Sequence, residues 1–198
     1  MAYVNSTAAA AGFHGVFESS RLKATDVGRL HDTLVVSEAT SGGVTTRTNI
    51  AVDNGVPVKI GDFVGADLQQ IYATVASVGD KIAIVGTDPV VKDAKSAFYE
   101  SPMFFENPAG KLSRSYEVLD DSQEIFGVAD YQFTAASASN IAVGNYVTTD
   151  GNGMWVAASS APSTSTYGFI GKIHSIAAPD LVGSYSTVRI QCIQNVQK

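Results

Sequence analysis

The three histidines are the residues best suited to metal or acid–base chemistry, but their spacing does not bring them together. His14, His31 and His174 lie far apart, and no two of them are three or four positions from each other. None adjoins a cysteine or a carboxylate at the spacing that zinc ligands use. The sequence therefore predicts no metal site, and each histidine is interpreted as a surface or hydrogen-bonded polar residue.

Cys192 is the only cysteine, so no disulfide can form within the chain. In the segment STVRIQCIQNV, Val188, Ile190 and Cys192 fall on one face of a strand with a period of two. A nucleophilic cysteine needs a positioned base, and no histidine lies near this one in sequence. The pattern predicts a thiol in the core, and the lack of disulfides fits a reducing cytosol.

The segment VLDDSQE contains the one group of carboxylates that could do chemistry, namely Asp120, Asp121 and Glu124. Such a group could bind Ca²⁺, or two of its members could hydrolyse a glycosidic bond. The segment lacks the alternating acids and the glycine of an EF-hand loop. A solvated turn between strands is the favoured interpretation, and a hydrolase that uses these three carboxylates is an alternative.

Nucleophile and phosphate-binding motifs are missing from the sequence. There is no Gly-x-Ser-x-Gly, and the glycine-rich segment TDGNGM lacks the lysine and the following helix of a P-loop. Its Asp150-Gly151 and Asn152-Gly153 pairs instead fit glycines with positive φ in a tight hairpin. The sequence thus predicts a protein that is not an enzyme, with no catalytic, cofactor-binding or metal-binding residues.

The composition indicates assembly rather than catalysis. Of the 198 residues, 45% are hydrophobic and only 16% are charged, below the roughly 25% usual in soluble domains. A surface with so few charges predicts self-association into homo-oligomers. The net charge is −6 and no run of Lys or Arg occurs, so nucleic acid and membrane are not expected as direct partners. We recognise no secretory signal and no apolar run of about 18 residues.

Short runs of β-branched and aromatic residues, separated by turn signals such as TSGG and DNG, predict a mostly β fold of small barrel or sandwich modules. One short helix is predicted over about 88–99, with Asp88 as its N-cap and Pro89 at its first position. The β-rich modules are predicted at 21–107, which includes the helix, and at 108–198. The two modules could also pack as one domain.

Residues 1–20 are predicted to form a flexible, extended N-terminal arm, because the segment STAAAAG is small and lacks periodicity. Three apolar residues follow it: Phe13, Val16 and Phe17. They are expected to form an interface with a neighbouring chain. The alternative is that the arm folds back on its own domain.

Residues 60–77, IGDFVGADLQQIYATVAS, align without gaps with residues 143–160, VGNYVTTDGNGMWVAASS. Glycine, valine, aspartate and serine recur at matching positions, and an aromatic residue precedes each matching valine. The loop following the aspartate differs, LQQ in the first segment and GNG in the second. A loop that differs so freely is not expected to be catalytic, and the repeat predicts a duplicated structural unit.

The segments Gly-Asp-Phe-Val at 61–64 and Gly-Asn-Tyr-Val at 144–147 share one pattern. Each is followed by a strand-like run that contains an aromatic residue, and then by IAIVG or GFIG. This order resembles the small β-barrel modules of tailed-bacteriophage capsid decoration (cement) proteins and related head auxiliary proteins. The resemblance covers roughly residues 50–90 and 125–196. It implies a structural virion protein that is made in the host cytoplasm. Such a protein binds the major capsid protein on the outside of the phage head and stabilises subunit junctions.

A tail, fibre or receptor-binding virion module is the alternative to a decoration protein. In such a module, exposed aromatic side chains such as Trp155 and Tyr167 would stack on the sugars of a glycan.

Overall fold

The computed structural model describes residues 13–19, 21–22, 29–87, 106–177 and 185–198. In these residues the protein is mostly β. This confirms the predicted fold class. The strands are β1 (Phe17–Glu18), β2 (Leu30–Ser41), β3 (Val44–Asn49), β4 (Val52–Asp53), β5 (Pro57–Val64), β6 (Asp67–Val75), β7 (Ala83–Val85), β8 (Glu106–Asn107), β9 (Ser113–Glu117), β10 (Ile125–Ala129), β11 (Tyr146–Thr149), β12 (Trp155–Ala158), β13 (Phe169–Ala177) and β14 (Thr187–Asn195). Two 3₁₀ helices, Asp130–Gln132 and Ala135–Asn140, lie between β10 and β11.

Five strands of the first sheet close into a barrel in the order β2, β6, β5, β7, β9. The ring closes because β2 pairs with β6 on one side, in parallel, and with β9 on the other, antiparallel. Closure removes the free edges of these five strands. Small apolar side chains fill one part of the interior, and they are Val35, Val52, Val56, Val58, Ala73, Ala83 and Val85.

The second sheet has the order β1-β10-β14-β13-β11-β12, and all its pairings are antiparallel. Its inner face packs against the barrel, because one core cluster contains Ile84 and Tyr116 of the first sheet together with Trp155 and Phe169 of the second. The two sheets therefore share a core. Strand β9, which follows the predicted module boundary at 107, completes the first sheet.

The repeated segments are both β-hairpins, as the alignment predicts for a duplicated unit, but their strands pair differently. Val147 pairs with Ala157 in the second hairpin, so Val64 would face Thr74 if the first hairpin had the same register. Thr74 instead pairs with Lys59. The likeness therefore extends to the type of element and not to its register, which shifts in the first hairpin between Ile60 and Phe63 and between Phe63 and Val64.

The predicted helix at 88–99 lies outside the described residues. Within the described part of the chain, no helix has the length and apolar character needed to cross a membrane.

Candidate functional site

The three predicted interface residues lie against their own chain. Val16 is buried. The rings of Phe13 and Tyr131 lie 6.1 Å apart, and those of Phe17 and Tyr116 lie 5.0 Å apart. Residues 13–19 therefore take the folded-back arrangement, with β1 paired to β10. Contact of these residues with a neighbouring chain stays a prediction, and residues 1–12 lie outside the described part of the arm.

Two of the three carboxylates of VLDDSQE accept hydrogen bonds from backbone N–H groups. The Asp120 carboxylate accepts a hydrogen bond from the backbone N–H of Asn195 at 2.9 Å, and that of Asp121 accepts one from Gln123 at 2.9 Å. Glu124 is fully buried, so the turn is only partly solvated. The Asp120 contact holds the turn against β14, and the Asp121 contact lies within the turn.

Trp155 cannot stack on a sugar, because its side chain is 0% exposed. Its indole N–H donates a hydrogen bond to the Gly55 carbonyl at 3.0 Å, and its ring packs edge-on against Phe169. The prediction of a glycan platform at Trp155 is wrong because the shared core between the two sheets covers this aromatic. Tyr167, the other residue proposed for stacking, is half-buried.

Two local predictions are confirmed. Gly151 and Gly153 have φ of 81° and 90°, and the Asp150 carboxylate accepts hydrogen bonds from the N–H groups of Asn152 and Met154. TDGNGM is therefore a hairpin loop. Cys192 is buried in the core, where burial raises the pKa of its thiol to about 12. The buried thiol stays protonated, and so is a poor nucleophile.

The first candidate site is an exposed ribbon, which we define as residues 37–49, formed by the end of β2 and all of β3. Every residue of the ribbon is exposed, including Val44 at 67%. Gly42 and Gly43, with φ of 58° and 79°, form the two-residue turn at its tip. Among the described residues, β3 pairs only with β2, and no described strand pairs with its outer edge. An open edge of this kind can accept a strand from another chain.

Arg47 holds the base of the exposed ribbon against the barrel. Its guanidinium donates to Glu38 at 2.7 Å and lies 4.4 Å from the centre of the Tyr72 ring. It also lies 3.5 Å from the Asp62 carboxylate. These contacts orient the exposed ribbon without covering its outer edge.

The second candidate site is a polar cluster of His14, Asp53 and Glu106. One ligand atom from each of these side chains lies within 4.8 Å of the others, and no other such group of three His, Cys, Asp or Glu residues is found among the described residues. Asp53 on β4 lies directly opposite Glu106 on β8 in an antiparallel pair. His14 approaches from the N-terminal segment, and its Nδ1 lies 2.9 Å from Asp53 Oδ1.

Several hydrogen bonds fix the backbone around this cluster. The Tyr131 hydroxyl donates to the His14 carbonyl at 2.7 Å. The Asn54 side chain bonds both the N–H and the carbonyl of Thr87, at 3.0 and 2.8 Å, and also accepts from the Asn107 amide at 3.0 Å. The segments that carry Asp53 and Glu106 are thus connected next to the carboxylates themselves.

Asp53 is the least accessible member of the cluster. Its side chain is 0% exposed, whereas that of His14 is 27% exposed. Within the described part of the chain, its Oδ2 has no hydrogen-bond partner. Burial raises the pKa of Asp53 above its ordinary value, although the nearby His14 and the Gly15 N–H act in the opposite direction. A buried carboxylate with one unsatisfied oxygen is energetically costly, because that oxygen has lost its hydration without gaining a partner in return.

Sequence reasoning missed this cluster. Its three residues come from distant segments, and the only local signal is that Asp53 is the first residue of the DNG turn. No protein-family model matches the chain, and neither curated proteins nor solved structures yield a match to it.

Proposed function

We propose that this protein is a non-enzymatic capsid decoration protein, which binds the major capsid protein on the outside of a phage head and stabilises the junctions between its subunits. The observation that carries the proposal is the exposed ribbon with its open β3 edge. The proposal also draws on the resemblance of 61–64 and 144–147 to decoration modules.

The exposed ribbon is an unusual feature for a chain that acts alone. An isolated two-stranded hairpin is at best marginally stable in water. The sequence of the exposed ribbon is rich in threonine, which favours strands, and it contains no proline. Natural edge strands commonly carry proline, bulges or inward charges that prevent pairing with another chain. An edge without most of these features is suited to pair with a strand of the capsid, or with a second copy of this chain.

The hairpin geometry identifies which backbone groups face the open edge. The two-residue turn joins Ser41 and Val44, which form a hydrogen-bonded pair in such a hairpin. Hydrogen-bonded pairs then alternate with non-hydrogen-bonded pairs along the ladder. Thr45 and Thr40 form a non-hydrogen-bonded pair, so the N–H of Thr45 points away from β2 and toward the open edge.

Replacement of Thr45 tests this proposal. Thr45→Pro removes the outward N–H while leaving the hydrogen bonds between β2 and β3 in place. Thr45→Ala is the matched control, because it also loses the side-chain hydrogen bond to Thr40 but keeps the N–H. Each protein is mixed with expanded, empty phage heads and sedimented, and the bound fraction is measured over a range of concentrations.

We expect wild type and Thr45→Ala to bind the heads, and Thr45→Pro to bind at least tenfold more weakly, a loss of about 1.4 kcal/mol per site. Circular dichroism checks that both variants retain the β fold. Equal binding of the two variants would exclude strand pairing at this edge. A wild-type protein that does not sediment with the heads would contradict the capsid function itself.

A further inference from the structure

We propose that His14, Asp53 and Glu106 form a binding site for one divalent first-row transition-metal ion, such as Zn²⁺ or Mn²⁺. This inference is independent of the proposed capsid role. The ion would connect three segments of the chain that are distant in sequence, namely the N-terminal segment, β4 and β8.

The geometry of the cluster suits a shared ion. Ligands bound to one such ion at about 2.1 Å lie roughly 3–4 Å from one another. The three ligand atoms already lie within 4.8 Å of each other. Glu106 is only partly buried, and its flexible side chain can make the remaining adjustment. The cross-strand pairing of Asp53 with Glu106 fixes the separation of the two backbones.

The unpartnered oxygen of Asp53 is a second and independent indication of a ligand. Oδ1 contacts His14, whereas Oδ2 has no hydrogen-bond partner among the described residues although Asp53 is fully buried. A cation would satisfy this oxygen and balance the charge of two carboxylates placed side by side. His14 and its hydrogen bond to Asp53 supply only part of that compensation.

The donor set decides the class of metal. One imidazole nitrogen and two carboxylates suit Zn²⁺, Mn²⁺ or Fe²⁺, whereas Ca²⁺ and Mg²⁺ prefer ligands that are all oxygen. A metal ligand must be deprotonated, so binding of the ion releases the proton that His14 Nδ1 and Asp53 Oδ1 share in the free protein. Three protein ligands leave further coordination positions for water or for a group from another molecule.

Calorimetry and thermal unfolding of the full chain, first treated with a chelator, test the site. Zn²⁺ and Mn²⁺ are each titrated alone, with Ca²⁺ and Mg²⁺ as comparison ions. We expect one transition-metal ion per chain, with at least tenfold weaker binding of Ca²⁺ and Mg²⁺. A free metal concentration of about 100 times Kd should raise Tm by roughly 5–10 °C.

Variants locate the bound ion. His14→Gln, Asp53→Asn and Glu106→Gln should each weaken binding at least tenfold. His31→Gln is the matched control, because His31 also lies near a carboxylate, with its Nε2 3.5 Å from Glu117. It should bind metal as the wild type does. If the buried Asp53→Asn variant does not fold, the two partly exposed positions decide the result.

Three outcomes would overturn the proposal. The first is that Zn²⁺ and Mn²⁺ give neither a heat signal nor a Tm shift. The second is that His14→Gln and Glu106→Gln bind the metal as tightly as the wild type. The third is that the protein binds Ca²⁺ or Mg²⁺ more tightly than Zn²⁺ and Mn²⁺.

Discussion

Gln132→Met should strongly destabilise the protein, because one buried side chain joins three parts of the chain. Gln132 is 2% exposed. Its Oε1 accepts hydrogen bonds from the N–H groups of Val16 and Ala129, at 2.9 and 2.8 Å, and its Nε2 donates to the Asn54 carbonyl at 2.9 Å. These partners lie in the N-terminal segment, in β10 and next to β4. Methionine has a similar length and cannot replace these hydrogen bonds.

The size of the effect follows from the groups left without partners. The substitution leaves two buried N–H groups and one buried carbonyl unsatisfied, and each costs about 1–3 kcal/mol. The greater hydrophobicity of methionine offsets roughly 1 kcal/mol. We therefore expect the free energy of unfolding to fall by about 2–8 kcal/mol, with a decrease in Tm of roughly 4–30 °C for a chain of this size.

Urea denaturation and amide hydrogen exchange measure this effect. Gln191→Met is the matched control, because its hydrogen bond to the Ser122 carbonyl is at the surface, and we expect a loss below about 1 kcal/mol. The amide protons of Val16 and Ala129 should lose protection only in Gln132→Met. A loss no larger than that of the control, or unchanged protection of Val16, would refute the view that Gln132 connects the three segments.

Two further predictions concern titration and thiol chemistry. Burial acts to raise the pKa of Asp80, but hydrogen bonds from Gln197, Lys59 and Ser77 outweigh it and lower the pKa below its ordinary value. Its contribution to stability is therefore present above about pH 4 and lost as the pH falls toward the folded-state pKa. Urea midpoints between pH 7 and pH 3 should fall less steeply for Asp80→Asn than for wild type, whereas parallel curves would contradict the assignment. Cys192 should not react with a disulfide reagent in the native state, because burial raises the pKa of its thiol to about 12. It should react once urea unfolds the protein. Rapid reaction of the folded protein would argue against its burial.

Local features of this fold could be predicted from the sequence. The turn at Gly42-Gly43, the hairpin at Asp150-Gly151 and the core position of Cys192 depend on residues close together in the chain. Glycine permits positive φ, and an alternating pattern gives a strand one buried face. These preferences act over a few residues, so the turns and the buried strand face can be predicted from the sequence without knowledge of the tertiary structure.

The partners of each strand could not be predicted in this way. The parallel pairing of β2 with β6, and the closure of the barrel by β9, depend on segments far apart in sequence. Trp155 is a second example, because whether an aromatic residue on a strand is exposed depends on what packs over it. Here the packing comes from both sheets.

The sequence by itself therefore determined the type of structure, a β protein with tight glycine turns and a buried thiol, because backbone preference and hydrophobic period are local properties. The tertiary structure alone decided which edge stays open and which polar groups meet. His14, Asp53 and Glu106 converge because β4 pairs with β8 and the N-terminal segment packs over them, and both contacts join segments that carry no shared sequence pattern.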